Sequence, residues 1–525
     1  MRKRWIAFIA CLLAALMLTG CAAEDVRDLL GGGRSDVEHV AFSEMVYARP
    51  DMSEMDTLME ELQELLDGGA RYKEVEAKLD ECFAWYYSFY TQYTLCEVHS
   101  YLDMTDEYYA EEFEWISDAF AVVQQTYDKL YYACAGSPLG EKLEKHYFWE
   151  GFCEEYSDPE DSVYSDEYVA LLQEETALLA RYHELVAAPT VEYQGEQWDL
   201  DELLAAVDDV EYNAVLKLYY DTYNQPLAEV YIELMRVRRA MAERLDYDSY
   251  EQMQYEFYFE RDYTPEEAHE YLAQIREHIV PYYRRLMATD PYGAVWYDEV
   301  SEEQLFSILK CVAGEIGGDV EEAFDFMEQY ELYDTSVSSK KANMSFETYF
   351  ADYEEPFVFL GAGGDTEDVL AFAHEFGHFC DGYVNQGAMS ETIDLAEVYS
   401  QAMELLALSR LSDAMSEEDV DNIAKIKTID LVSNVYIQQA AFAEFEARAY
   451  ALSDEELTVE KLNEIMYELS LEYGFGVKGY QWYFGRVWID ITHFFEAPFY
   501  VISYPVSNDL AMQIYALERE EAGKG

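Results

Sequence analysis

From residue 52 to about 185, apolar side chains return every three or four positions. DTLMEELQELLDGGA shows the pattern, and its run stops at paired glycines. That period is helical, and glycine just past the last periodic residue ends a helix. ECFAWYYSFYTQYTLCEVHSYL continues the pattern with aromatics. Strict alternation is rare. TVEYQGEQWDL has it on both sides of a central glycine, which predicts a small β-hairpin. Helical spacing resumes over 201–290. In SFETYFADYEEPFVFLGAGGDTEDV, residues 345–369, ETYF and PFVFL are short, aromatic or β-branched, and bounded by Pro356 and the glycines of GAGG. They predict strands of a small sheet. Asp365 and Thr366 can cap the helix that follows, and Glu367 and Asp368 suit its positive end. No internal repeat or long linker appears. The pattern predicts a mainly α fold, one large helical domain over 46–525 with a small sheet beside the DTEDV helix.

The first twenty residues stand outside that pattern. MRKR is a basic start, WIAFIACLLAALM an apolar run, and LTGC its end, which is the shape of a secretory signal. No other segment has the uninterrupted apolar length of a membrane span. Leu18, Thr19, Gly20 and Cys21 fit a bacterial lipobox, so Cys21 is expected to become a lipidated amino terminus. Residues 21–45 then form a polar, glycine-bearing tether. The expected location is outside the cytoplasm, held to the cell membrane by lipid on Cys21 alone.

Half the residues are apolar and 16% aromatic, so a large core is available and disorder is excluded. The formal charge of −74 becomes −77 once the three cations Arg2, Lys3 and Arg4 leave with the leader. No basic stripe offsets it, which excludes nucleic acid as a partner. Six cysteines remain beyond Cys11 and Cys21: Cys82, Cys96, Cys134, Cys153, Cys311 and Cys380. Cys82 and Cys96 fall on one long helix, about 21 Å apart, beyond a disulfide's reach. Buried free thiols are expected.

The chemistry gathers in DTEDVLAFAHEFGHFC. On a helix, His374 and His378 share one face a turn apart and can bind one metal. Glu375, about 100° round, can reach a metal-bound water without ligating. Zinc with one open position needs a third protein ligand. The pattern with a third histidine on a following turn needs glycine at 381 and histidine at 384, and the chain has Asp381 and Val384. The alternative is a glutamate on the next helix, and IDLAEVYSQAMELLAL supplies Glu397. Glu404, two turns on, either orients a ligand histidine or lies on a solvated face. One Zn²⁺ per chain is expected, lowering the pKa of its water while Glu375 takes the proton.

HEFGH followed by DLAEVYSQAMELL resembles the zinc peptidase family of thimet oligopeptidase and oligoendopeptidase F, and most closely its oligoendopeptidase branch. FETYFADYEEPFVFLGAGGDTEDV, RDYTPEEAHEYLAQIREHIVPYY and WIDITHFFEAPFYVISY extend the resemblance over roughly residues 190–515. It implies a bowl or clamshell of helices around a deep channel that admits short peptides, with 46–190 as a helical amino-terminal part and 191–525 as the catalytic part. It also implies that His493, Tyr500 and Tyr504 contact the substrate and the tetrahedral oxygen. By chemistry alone HFFEAPFY reads as an aromatic core helix interrupted by Pro498. PFVFLG resembles the edge strand along which substrate lies, which makes Phe359, Gly361, Gly363 and Gly364 expected substrate contacts. GAGGDT departs from the asparagine-bearing loop of many relatives.

Together these residues predict a monomeric, membrane-anchored zinc oligoendopeptidase for short peptides. A carboxypeptidase or dipeptidase of the same fold is the nearer alternative. A peptide-binding lipoprotein feeding a transporter is the more distant one, and a pure binder has no use for the base Glu375.

Overall fold

The computed structural model describes residues 37–520 apart from 38, 160–163, 187–188, 339, 343 and 386–391. The expected leader, Cys21 and most of the tether lie outside the described residues. Helices dominate, the longest being Tyr72–Leu102, Glu107–Ala135, Asp166–Val186 and Asp209–Arg244. No described helix is long and apolar enough to cross a membrane.

The hairpin forms where alternation predicts it. Strand β1, Thr190–Tyr193, pairs antiparallel with β2, Glu196–Asp199. Gln194 and Gly195 between them have φ of 54° and 87°, the two positive values that a two-residue turn of matching twist needs.

The second sheet has three strands: β3, Tyr333–Asp334; β4, Phe346–Phe350; and β5, Glu355–Phe359. Their order is β3-β5-β4. The expectation that PFVFLG is an edge is corrected here. β5 pairs in parallel with β3 on one side and antiparallel with β4 on the other, so β4 is an edge and β5 is central. The deciding strand, β3, is two residues long and carries no alternation to read.

Two large apolar cores flank the sheet and the helices after it. One combines residues from Met45 to Phe152 with residues from Val300 to Ile423, including Phe350, Phe357, Phe372 and Phe376. The other combines residues from Tyr168 to Tyr283 with residues from Ile437 to Ile502. Each core is therefore built from two separated stretches of chain. Helix Ile393–Leu408 lies between, packed on helix Asp368–Val384 and on helix Ser503–Glu520. The six cysteines described are free; Cys82, Cys96 and Cys134 are fully buried. Cys82 and Cys96 share helix Tyr72–Leu102 as expected.

Candidate metal centre

The helix bearing the histidine pair runs Asp368–Val384, and its start differs from expectation. Among the described residues the buried Thr366 hydroxyl has no hydrogen-bond partner, and Asp365 Oδ1 accepts from the Glu367 N–H. The Asp368 carboxylate reaches backward instead, accepting the N–H groups of Gly363, Gly364 and Asp365 at 2.9, 2.7 and 3.2 Å. A carboxylate at a helix amino terminus is favoured by the exposed amides there, and here it also fixes the glycine loop.

One turn apart on this helix, His374 and His378 have ring centroids 5.2 Å from each other. Glu397 enters from helix Ile393–Leu408, its Oε2 3.6 Å from His374 Nε2. One ligand atom from each of the three falls within 4.8 Å of the others. A tetrahedral zinc with 2.0–2.1 Å bonds holds its ligands about 3.3 Å apart, so two imidazoles and a carboxylate at this spacing suit zinc with an open position. Gly377 lets the helices approach: a Cβ there would lie 2.7 Å from Ser400 Cα and 2.7 Å from Tyr399 O. At that point the two helices touch backbone to backbone.

Glu404 takes the orienting role rather than the solvated one. It is 7% exposed, and its Oε1 lies 2.9 Å from His374 Nδ1. Its other oxygen pairs with Lys427 Nζ at 2.6 Å, and Lys427 also reaches Asp430 at 3.2 Å. With Nδ1–H given to a carboxylate, Nε2 of His374 is the free ligand atom. Lys427 left no sign in the sequence, because its partner is 23 residues away on another helix. Burial pulls His374 down, but the Glu404 hydrogen bond and the charges of Glu397 and Glu375 outweigh it and hold its pKa up at about 9. Burial pushes His378 down to about 4. Glu375, next to His374 and 7% exposed, is pushed up to about 7 by burial, near the operating range of a general base.

His493, Tyr500 and Tyr504 come together against this centre. Tyr500 donates its phenol proton to Glu397 Oε1 at 2.6 Å, and Ser400 Oγ donates to Glu397 Oε2 at 3.1 Å. His493 Nε2 lies 3.2 Å from Tyr504 Oη, and the three rings are mutually adjacent, with centroids 5.3 to 5.9 Å apart. Burial pushes His493 down to about 4, so it is neutral. The aromatic-core reading of HFFEAPFY holds for Phe494 and Phe495, both fully buried.

The four residues expected to contact substrate, Phe359, Gly361, Gly363 and Gly364, have structural partners of their own. Phe359 is fully buried, packed on Phe346 and Tyr101. Gly361 is needed for close packing, since a Cβ there would meet Met344 O at 2.5 Å, and its N–H goes to Ser345 Oγ. The amides of Gly363 and Gly364 are taken by Asp368, and Gly364 has φ of 86°.

Residues 42–152 match the model of the peptidase M3 N-terminal domain, and residues 330–523 match the model of peptidase family M3. Together they take in more than half of the chain. No curated protein sequence matches. Among solved structures, the fold is similar to a Pz peptidase A bound to an inhibitor, with TM-score 0.75 and 21% identity over 91% of this chain and 90% of that one. It is also similar to an oligoendopeptidase F candidate from Bacillus anthracis strain Ames, with TM-score 0.70 and 23% identity over 92% and 89% of the two chains. At these identities the likeness concerns the fold. The paired family models, and two histidines meeting a downstream glutamate with a glutamate base beside them, lead to one conclusion: the chain belongs to peptidase family M3, as a zinc metallopeptidase.

Proposed function

We propose that the protein is a zinc-dependent oligoendopeptidase that hydrolyses internal bonds of short peptides outside the cytoplasm. The observation that carries this reading is the convergence of His374, His378 and Glu397, with Glu375 on the same helix and His493, Tyr500 and Tyr504 facing them. Bound zinc would polarise the scissile carbonyl and make water a stronger acid. Glu375 accepts the proton of the attacking water and returns it to the leaving nitrogen. Tyr504 supplies a phenol donor for the tetrahedral oxygen, neutral His493 keeps its hydroxyl oriented, and Tyr500 gives its proton to Glu397 and so steadies that ligand. Glu404, backed by Lys427, holds His374 in the ligating tautomer. Phe359 and Gly361, Gly363 and Gly364 serve this reading through packing: they anchor the strand and the loop from which the motif helix starts. The basic start, apolar run and LTGC sequence support attachment through Cys21 and an extracytoplasmic location.

The test pairs metal analysis with a decapeptide blocked at both ends, in the soluble form lacking residues 1–21. About one zinc per chain and cleavage at internal bonds are expected. Glu375→Gln should retain zinc and lose about 10²- to 10⁴-fold in kcat. Activity confined to free carboxy termini would favour the carboxypeptidase alternative. Wild-type turnover in Glu375→Gln would remove the mechanism.

A further inference from the structure

The aromatic segment that carries Tyr500 turns through an unusual peptide. Phe499 has φ of 65°, a left-handed conformation that a bulky residue rarely adopts and that costs roughly 1–3 kcal/mol. The residue is 2% exposed. The conformation has direct support on both sides. The Phe499 N–H donates to Glu446 Oε1 at 2.8 Å, and its carbonyl accepts from Arg261 Nη2 at 2.9 Å. The Glu446 side chain is fully buried on helix Gln439–Tyr450, and Arg261 is likewise sealed beneath Tyr255 and Phe259.

Arg261 reaches further. The same Nη2 donates to Ser503 Oγ at 2.8 Å, at the start of helix Ser503–Glu520. Its Nε faces Asp394 Oδ2 at 3.5 Å. Asp394 is one turn before Glu397 on helix Ile393–Leu408. One buried guanidinium thus ties the helix that presents a zinc ligand to the peptide that presents Tyr500. The preceding residues are held in the same manner: Arg238, paired with Glu175, donates to the carbonyls of Phe494 and Phe495.

We propose that Arg261 and Glu446 are positioning residues for the peptidase reaction. By clamping the Phe499 peptide in its left-handed form they direct the Tyr500 phenol at Glu397 and the reacting centre. Two buried side chains far apart in sequence, a carboxyl and a guanidinium, hold the two peptide groups on either side of the Phe499 Cα. A peptide that served packing alone could relax into the extended form, which would swing Tyr500 off Glu397. The inference rests on Tyr500 acting in turnover.

The experiment is a set of double-mutant cycles on the zinc-loaded soluble form, following kcat and KM with the blocked decapeptide, together with zinc content and Tm. Glu446→Leu removes the acceptor, and Arg261→Lys keeps a cation near Asp394 but loses the fixed fork. Each should lower kcat by about 10- to 100-fold, the scale of a 1 Å misplacement, with KM within threefold and zinc retained. Glu446→Gln, which still offers an oxygen to the Phe499 N–H, should recover most of kcat. Added to Tyr500→Phe, either lesion should cause little further loss. Losses that multiply with Tyr500→Phe, or that appear in KM alone, would overturn the proposal, as would equal defects in Glu446→Gln and Glu446→Leu. Should Glu446→Leu fail to fold, Arg261→Lys carries the same cycle. Wild-type kcat in Tyr500→Phe would also overturn it, while a dead Glu375→Gln enzyme would leave the peptidase reading standing.

Discussion

The most exacting prediction concerns Gly377, the residue just before His378 on the motif helix. A methyl group there would sit 2.7 Å from Ser400 Cα, 2.7 Å from Tyr399 O and 3.0 Å from Met403 Cβ. Two of the three atoms are backbone, so no rotamer change relieves the contact. Carbon atoms rest at about 3.5–4.0 Å, and Gly377→Ala therefore needs the helices to part by about 1 Å. Overpacking on this scale costs roughly 1–3 kcal/mol. The larger effect falls on the metal, because His374 and His378 lie on one helix and Glu397 on the other. Ligand distances in a working site hold to about 0.2 Å, so a separation five times that detaches Glu397 or forces it to stretch. The expected result is at least about tenfold weaker zinc binding, in the range of altered ligand support, with apo-protein Tm lowered and helical circular dichroism unchanged. Zinc affinity is measured by competition with a chromophoric chelator, and Tm by calorimetry without metal. Affinity within threefold of wild type, with unchanged apo Tm, would refute the claim that backbone contact at Gly377 sets the ligand geometry.

Four further expectations follow from the same geometry. Glu404→Ala removes the acceptor of His374 Nδ1 and strands buried Lys427; zinc affinity should fall about 10- to 100-fold by chelator competition. Gly361→Ala places a methyl 2.5 Å from Met344 O and should cost about 1–3 kcal/mol in denaturant unfolding, with zinc affinity unchanged. Glu97, 2% exposed and with Oε2 unpartnered among the described residues, has its pKa raised to about 8 by burial. The folded state then binds more protons than the unfolded state between about pH 4.5 and 8, so stability from this group is full below that window and declines as pH rises through it. Glu97→Gln should accordingly stabilise the protein more at pH 8 than at pH 5, by urea unfolding. Chelation should abolish peptide cleavage, and one equivalent of zinc should restore it.

The parts of the fold legible in the sequence were those set by neighbours along the chain. His374 and His378 are four apart, so helical geometry alone pairs them. Gln194-Gly195 announces its hairpin because the backbone needs φ above zero there. Glu397 was accessible because it sits on the next helix. What stayed hidden depends on distant contacts. Asp368 reaches back to the glycine loop where Asp365 and Thr366 looked the natural caps, since a carboxylate three residues on can gather three amides at once. β3 is too short to announce itself, yet it converts β5 from edge to centre. Lys427 looks like any surface lysine until helix Glu417–Asp430 buries it against Glu404. Three π-helical turns among the described residues, Gln254–Tyr258, Ile275–Ile279 and Leu431–Gln438, leave no periodic trace. The Phe499 clamp joins residues 53 and 238 positions apart, and no local pattern encodes φ of 65° in a phenylalanine.

The interleaved cores also have a consequence in time. A growing chain completes Tyr72–Leu102 and Glu107–Ala135 early, but their partners Phe350, Phe357, Phe372 and Phe376 come more than 200 residues later. Between Phe152 and Val300 the chain adds no fully buried residue to that first core. At roughly 5–20 residues per second of synthesis, the wait across that gap lasts about 7–30 s. For that interval the amino-terminal helices present an apolar face with nothing to cover it. The apolar face left open by that gap has to be kept from other chains until residues beyond 300 arrive.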